Sequence, residues 1–144
     1  MTGVALAPAS VTPPIRVAVV DNHPVFRAAL RGFLAYEPDL QLVAEASNAA
    51  EILPLLETAP PDILLVDFAT IELDTLGILG LLFRRLPSRR ILVMCTGQLQ
   101  SFFHPPFQFD LCTLIDKQSV PDRLVALIHR VTGTRCHRHL RPIV

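Results

Sequence analysis

Residues 15–34 read IRVAVVDNHPVFRAALRGFL, and three different kinds of chain follow one another within that stretch. Ile15 to Val20 is a nearly unbroken, valine-rich apolar run, the pattern of a strand buried on both faces. It stops at Asp21-Asn22-His23-Pro24. Pro24 suits the first turn of a helix, where its missing N–H costs little. Phe26, Ala29, Leu30, Phe33 and Leu34 then recur at helical spacing, so one stripe of that helix faces a core. The stretch predicts a buried strand, a polar corner and an amphipathic helix.

The alternation continues outward. Pro38 and Asp39 break the helix, and Leu40 to Ala46 reads as a second strand. Asn48 with Glu51 three residues on predicts a capped helix start. Pro54 should kink or shorten that helix, and Pro60-Pro61 ends it. Asp62 to Val66 reads as a third buried strand ending at Asp67, followed by an apolar helix over Leu73 to Leu86 capped by Asp74 or Thr75. Ile91 to Cys95 is a fourth strand. Gly97 to Asp110, with four phenylalanines and Pro105-Pro106, does not support a full helix. Cys112 to Ile115 is a fifth strand beside Asp116-Lys117, and the last helix runs from Pro121 to near Gly133.

Strands alternating with helices at this spacing predict an α/β fold, a flavodoxin-like doubly wound five-stranded parallel sheet with helices on both faces. The expected organisation is an N-terminal arm over 1–14, one domain over 15–133 and a basic tail over 134–144. The 144 residues are 51% hydrophobic and 18% charged, enough apolar material for a sizeable core. Thirteen basic and thirteen acidic residues cancel, so the whole chain makes no strong electrostatic demand for nucleic acid or anionic membrane. The longest apolar run, Leu76 to Phe83, is too short to span a bilayer. Three cysteines at irregular spacing do not read as a disulfide framework, and no charged leader precedes the first strand. The expectation is a soluble cytoplasmic protein with no membrane partner.

In an open parallel sheet, ligands bind beyond the carboxyl ends of the strands. Here those ends carry Asp21-Asn22, Asp67, Cys95-Thr96 and Lys117. Oxygen-bearing side chains at two strand ends suit Mg²⁺. Lys117, the sole lysine, offers a compact positive charge to a phosphoryl oxygen. A carboxylate such as Asp67 can act as a nucleophile on phosphorus. An Asp ending a strand is by itself often only a helix cap. An Asp-Asn pair, a second strand-end Asp and the single Lys on one edge go further than that and predict a phosphoryl-acceptor site.

Arg16-Val-Ala-Val-Val-Asp-Asn-His-Pro-Val-Phe-Arg, together with Glu37-Pro-Asp-Leu, Val43-Ala-Glu-Ala, Pro61-Asp-Ile-Leu-Leu-Val-Asp67 and Pro121-Asp-Arg-Leu-Val-Ala-Leu-Ile, resembles the receiver domain of bacterial response regulators, nearest to the NarL/FixJ type. The resemblance covers residues 15 to 133. It implies a two-component signalling protein rather than an enzyme. In it, Asp67 is the phospho-acceptor and Lys117 binds the phosphate. Mg²⁺ is held by Asp21, Asn22, Asp67 and the backbone carbonyl of Ala69. The implied partner is a histidine kinase, and the implied response is a change of self-association, such as a homodimer, or of association with another protein.

Four positions depart from the family pattern. Asn22 replaces an acid, so it still offers an oxygen but one negative charge is lost at the metal. Cys95 stands where the family carries the Thr or Ser that reports phosphorylation, and a thiol is a weak donor. Leu114 stands at the switch aromatic position. Phe68 to Thr75 replaces the usual Met-Pro-Gly segment. These departures motivate an alternative: a pseudo-receiver acting as a phosphorylation-independent interaction or dimerisation module. A flavin-binding relative is disfavoured because no phosphate-binding loop follows the first strand. His23 reads as structural, and Cys136-His137-Arg138-His139 lacks a structural zinc spacing. No DNA-binding module is expected within this chain.

Overall fold

A computed structural model describes residues 13–72, 84, 90–96 and 113–133. Within them the valine- and isoleucine-rich runs form five parallel strands: β1 (Ile15–Val20), β2 (Leu40–Ala46), β3 (Ile63–Asp67), β4 (Ile91–Cys95) and β5 (Thr113–Asp116). Their order is β2-β1-β3-β4-β5, the doubly wound arrangement expected from the alternating pattern. β3 and β4 are buried along their whole length, which is why their sequences are continuously apolar instead of alternating.

The two faces of the sheet bury separate cores. On one face Val17, Val19, Leu65, Leu92 and Met94 meet Leu30 and Leu34 of α1 (Pro24–Ala35) and Leu124 and Ile128 of α4 (Val120–Thr132). On the other, Ala18, Val20, Leu64, Val66 and Val93 meet Ile52 and Leu56 of α2 (Ala49–Thr58). Fully burying a Leu or Ile contributes about 1.5–3 kcal/mol, so α4 is held chiefly by Leu124 and Ile128.

β2 serves both cores through an irregularity. Val17 pairs with Leu42 but Ala18 pairs with Ala44, so Val43 is an extra residue in the ladder. One inserted residue reverses the facing of everything after it. Leu40 and Leu42 therefore join the α1/α4 core, while Ala44 and Ala46 join the α2 core. The same reversal turns Glu45 toward α1, where Arg31 donates from Nε at 2.6 Å and from an Nη at 2.8 Å to its two oxygens. That fork holds the Glu45 carboxyl below the ordinary glutamate value and raises the Arg31 guanidinium.

The helix signals in the sequence are used as expected at several ends. Pro24 opens α1, with His23 at the N-cap making no side-chain capping bond. The Glu51 N–H donates to Asn48 Oδ1 at 3.0 Å, while the Glu51 carboxylate accepts from Ser47 N and Oγ at 3.0 and 2.8 Å. Pro54 is accommodated on the exposed side of a ten-residue α2. Gly133 ends α4 at φ 72°, a left-handed position that favours glycine.

Three boundaries differ from the sequence reading. β3 begins at Ile63 instead of Asp62 and closes at Asp67, which pairs with Met94. β5 extends to Asp116, which pairs with Cys95. α4 starts at Val120 after a 3₁₀ turn over Lys117–Ser119, whose Gln118 N–H donates to Asp116 Oδ1. A short helix, α3 (Phe68–Glu72), also follows β3 directly. The expected helix over Leu73 to Leu86 lies almost wholly outside the described residues, as do Gly97 to Asp110, Cys112, the first twelve residues and the tail after Gly133. No helix among the described residues is long and apolar enough to cross a membrane.

Candidate functional site

β1 and β3 are neighbours from which the chain winds in opposite directions, so their carboxyl ends form the crevice of the sheet. Asp21 follows β1 and Asp67 closes β3, and both are buried. Lys117 follows β5 directly and reaches this corner from its carboxyl end. Its Nζ lies 2.9 Å from Asp21 Oδ2 and 2.9 Å from Asp67 Oδ1. The same Nζ sits 4.2 Å from the centroid of the Phe26 ring on α1. Two carboxylates removed from water need a positive partner, and one lysine spans both. The ring face adds a cation–π contact, about 0.5–2 kcal/mol by the usual range.

The second oxygen of each carboxylate turns the other way. Asp21 Oδ1 accepts the His23 backbone N–H at 2.8 Å and faces His23 Nδ1 at 3.0 Å. Asp67 Oδ2 accepts from Thr70 N at 3.3 Å and Thr70 Oγ1 at 3.2 Å, with His23 Nδ1 3.7 Å away. Thr70, buried in the first turn of α3, accepts in turn the Asn22 N–H at 3.3 Å. The Arg27 guanidinium donates to the Asp21 carbonyl. The corner thus has a lysine side and a histidine side, with the carboxylates between them.

Asp21, Asp67 and Lys117 are therefore brought together. Asn22 is exposed, and its backbone N–H is tied to Thr70. Ala69 is the second residue of α3 and half-buried. Cys95 is buried at the end of β4, where its thiol lies 3.7 Å from the Ile115 carbonyl, while the adjacent Thr96 is exposed. Leu114 is half-buried and packs against the α2-side core. Three residues of this corner had no role in the sequence reading. His23, taken as structural, has its ring nitrogen at the two carboxylates. Thr70 stands three residues after Asp67, one helical turn, which is a signal only if a helix is known to begin at Phe68. Phe26 was counted among core positions and also faces the lysine.

The arrangement can hold a cation. Asp21, His23 and Asp67 each offer a ligand atom within 4.8 Å of the others. The oxygens turned away from Lys117 are charged, hard donors of the kind Mg²⁺ prefers, so the donor set fits a divalent ion.

Residues 17–129 match the family model described as the response regulator receiver domain. Among curated proteins, the nitrate/nitrite response regulator NarL of Escherichia coli K12 is 31% identical over 120 residues, covering 83% of this chain and 56% of its own length. The uncharacterized transcriptional regulatory protein YhcZ of Bacillus subtilis is 28% identical over 111 residues, covering 77% of this chain and 52% of its own length. The chain thus spans about half the length of these relatives. Among solved structures, a LuxR-family two-component response regulator from Aurantimonas is 27% identical with a TM-score of 0.68, covering 85% of this chain and 88% of that one. The receiver domain of NarL from Mycobacterium tuberculosis, 23% identical with a TM-score of 0.64, covers 86% of this chain and 100% of its own, and so shares the fold. With the sheet order and the two-carboxylate corner, the family match over residues 17–129 makes this chain a member of the response regulator receiver domain family of two-component signalling.

Proposed function

We propose that the chain is a phosphoryl-accepting receiver in which Asp67 is the acceptor, Lys117 clamps the transferred group and Asp21 helps to hold Mg²⁺. The observation that carries this reading is the lysine ammonium spanning both buried carboxylates at 2.9 Å each, at the carboxyl edge of the sheet. An Asp67 oxygen attacks the phosphorus of a kinase phosphohistidine. The new O–P bond forms as the P–N bond breaks, and the freed imidazole nitrogen leaves with the electron pair. Lys117 is placed to follow the phosphoryl oxygens, and Thr70 keeps the Asp67 carboxylate in one orientation. The cation, when bound, neutralises phosphoryl oxygen charge as a Lewis acid. Asp21 and Asp67 would hold it, joined by the Asn22 side chain and the Ala69 carbonyl as the family resemblance implies. Phosphorylation then alters association with a second copy or another protein, in the cytoplasm, and the chain signals without itself being an enzyme.

A second reading, the pseudo-receiver, is favoured by the neighbouring strands β4 and β5. The buried Cys95 thiol is directed at the Ile115 carbonyl and Leu114 is packed into core, so neither switch position offers a free hydroxyl or aromatic group. Intact mass after incubation with acetyl phosphate and Mg²⁺ separates the two. A phosphoryl-sized gain that vanishes in Asp67→Ala is expected from the receiver. Absence of a gain, with an oligomeric state that Asp67→Ala does not change, would establish the pseudo-receiver.

A further inference from the structure

The histidine side of the corner has a use that the acceptor chemistry leaves open. Lys117 takes one oxygen from each carboxylate, Asp21 Oδ2 and Asp67 Oδ1. The oxygens left over, Asp21 Oδ1 and Asp67 Oδ2, both face His23 Nδ1, at 3.0 and 3.7 Å. Ligand atoms about 2.1 Å from one octahedral ion lie about 3 Å apart along an edge, a spacing that the 3.0 Å separation meets and the 3.7 Å separation exceeds by about 0.7 Å. We propose that His23, through Nδ1, is a further protein ligand of the cation held by Asp21 and Asp67, and that the site thereby prefers imidazole-accepting first-row divalent cations such as Mn²⁺, Co²⁺ and Zn²⁺ over Mg²⁺.

Chemistry supports each part of this. Asn22 is neutral and exposed, so this position of the corner brings no second acid. An imidazole nitrogen two residues after Asp21 supplies a donor in its place, and nitrogen ligands favour Mn²⁺, Co²⁺ and Zn²⁺ over Mg²⁺, which prefers oxygen and keeps its waters. The remaining donors are already oriented by a second layer of contacts. Asp67 Oδ2 is held by Thr70, Asp21 Oδ1 by the His23 N–H, and the Asp21 carbonyl by Arg27. The His23 ring is more than half exposed and makes no capping bond to α1, so it can turn its nitrogen to an ion without breaking the helix start.

The inference rests on the receiver reading, because Asp67 serves both, and the test keeps the two apart. Mn²⁺ is bound to the full chain and its pulsed electron paramagnetic resonance is recorded for nitrogen coupling. Mg²⁺ is then titrated in to displace it, and acetyl phosphate with Mg²⁺ is added to parallel samples for intact mass. The wild-type chain should show directly coordinated nitrogen. His23→Ala should lose that coupling, and the Mg²⁺ needed for half-displacement should fall roughly tenfold or more. Since first-row ions outcompete Mg²⁺ at most sites, the His23-dependent part of the preference is the quantity that decides. Mn²⁺ bound without nitrogen coupling, coupling that persists in His23→Ala, or an unchanged displacement curve would each overturn the inference. In those cases a mass gain would leave the receiver reading standing. A chain that bound no divalent cation and gained no mass would overturn both.

Discussion

The β1/β3 corner and the β4/β5 edge lie on the same side of one sheet, yet they are built from opposite materials. At the corner every carboxylate oxygen of Asp21 and Asp67 has a polar partner, drawn from Lys117, His23 or Thr70. At the edge, Cys95 is buried with its thiol 3.7 Å from the Ile115 carbonyl, and the half-buried Leu114 packs against the α2-side core. Polar groups are retained in a buried place only where they are satisfied, because an unmet one costs about 1–3 kcal/mol. The contrast teaches that polar side chains are gathered and paired where β1 meets β3, while the β4/β5 edge is filled with apolar and weakly polar ones. The polar link out of Asp67 runs through Thr70 to the Asn22 N–H and the β1–α1 turn.

Three measurements would break or sharpen that contrast. The largest effect is expected from Lys117→Met, which keeps an apolar stem against Phe26 but leaves two buried carboxylates without their shared cation. Urea denaturation should show a loss of about 3 kcal/mol or more, since breaking a buried ion pair from one side leaves uncompensated charge. A second change, Asp67→Asn, should restore much of it. A loss below about 1 kcal/mol would mean that water reaches the corner as it reaches a surface pair.

The next measurement sets the two regions against each other. Thr70→Val removes a hydroxyl that donates to Asp67 and accepts from Asn22, so it should cost about 1–2 kcal/mol. Cys95→Ser keeps a donor for the Ile115 carbonyl and should stay within about 1 kcal/mol of wild type. Equal losses would erase the distinction drawn between corner and edge.

The smallest effect lies outside both regions and serves as their reference. The Glu45 carboxyl is lowered mainly by its hydrogen bonds with Arg31, opposed in part by burial. A group depressed in the folded state adds stability above its unfolded pKa and loses it as pH falls through the folded value. Stability should therefore drop on the acid side of roughly pH 4.3, the ordinary glutamate value. Because the Arg31 side chain is more than half exposed, the Arg31–Glu45 share should be about 0.5 kcal/mol, seen as a shallower acid limb in Glu45→Gln thermal melts.

Much of the fold was legible in the residues. Apolar runs of four to seven residues marked all five strands, and Asn48 with Glu51 marked the start of α2. The misplacements were each local. Asp116 is polar, so it reads as a residue beyond its strand, yet it still pairs with Cys95 of β4. The bulge at Val43 leaves no mark in a sequence whose Leu-Gln-Leu-Val-Ala-Glu-Ala pattern suits either facing. α3 was hidden because Phe68 to Glu72 carries no capping signal.

For the site, residue type and strand-end position singled out Asp21, Asp67 and Lys117, because two acids and the single lysine at the ends of three strands go beyond what a helix cap requires. The sequence by itself determined which elements form and which of their ends are polar, since both follow from local periodicity and from the cost of burying charge. Only the tertiary structure decided that Lys117 meets Asp21 across 96 residues, that each carboxylate divides its oxygens between a lysine and a histidine, and that Thr70 links Asp67 to Asn22. Those facts depend on strand order and on the direction in which a strand-end side chain turns. Both are set by packing between distant segments, where one inserted residue such as Val43 is enough to send a side chain to the other face.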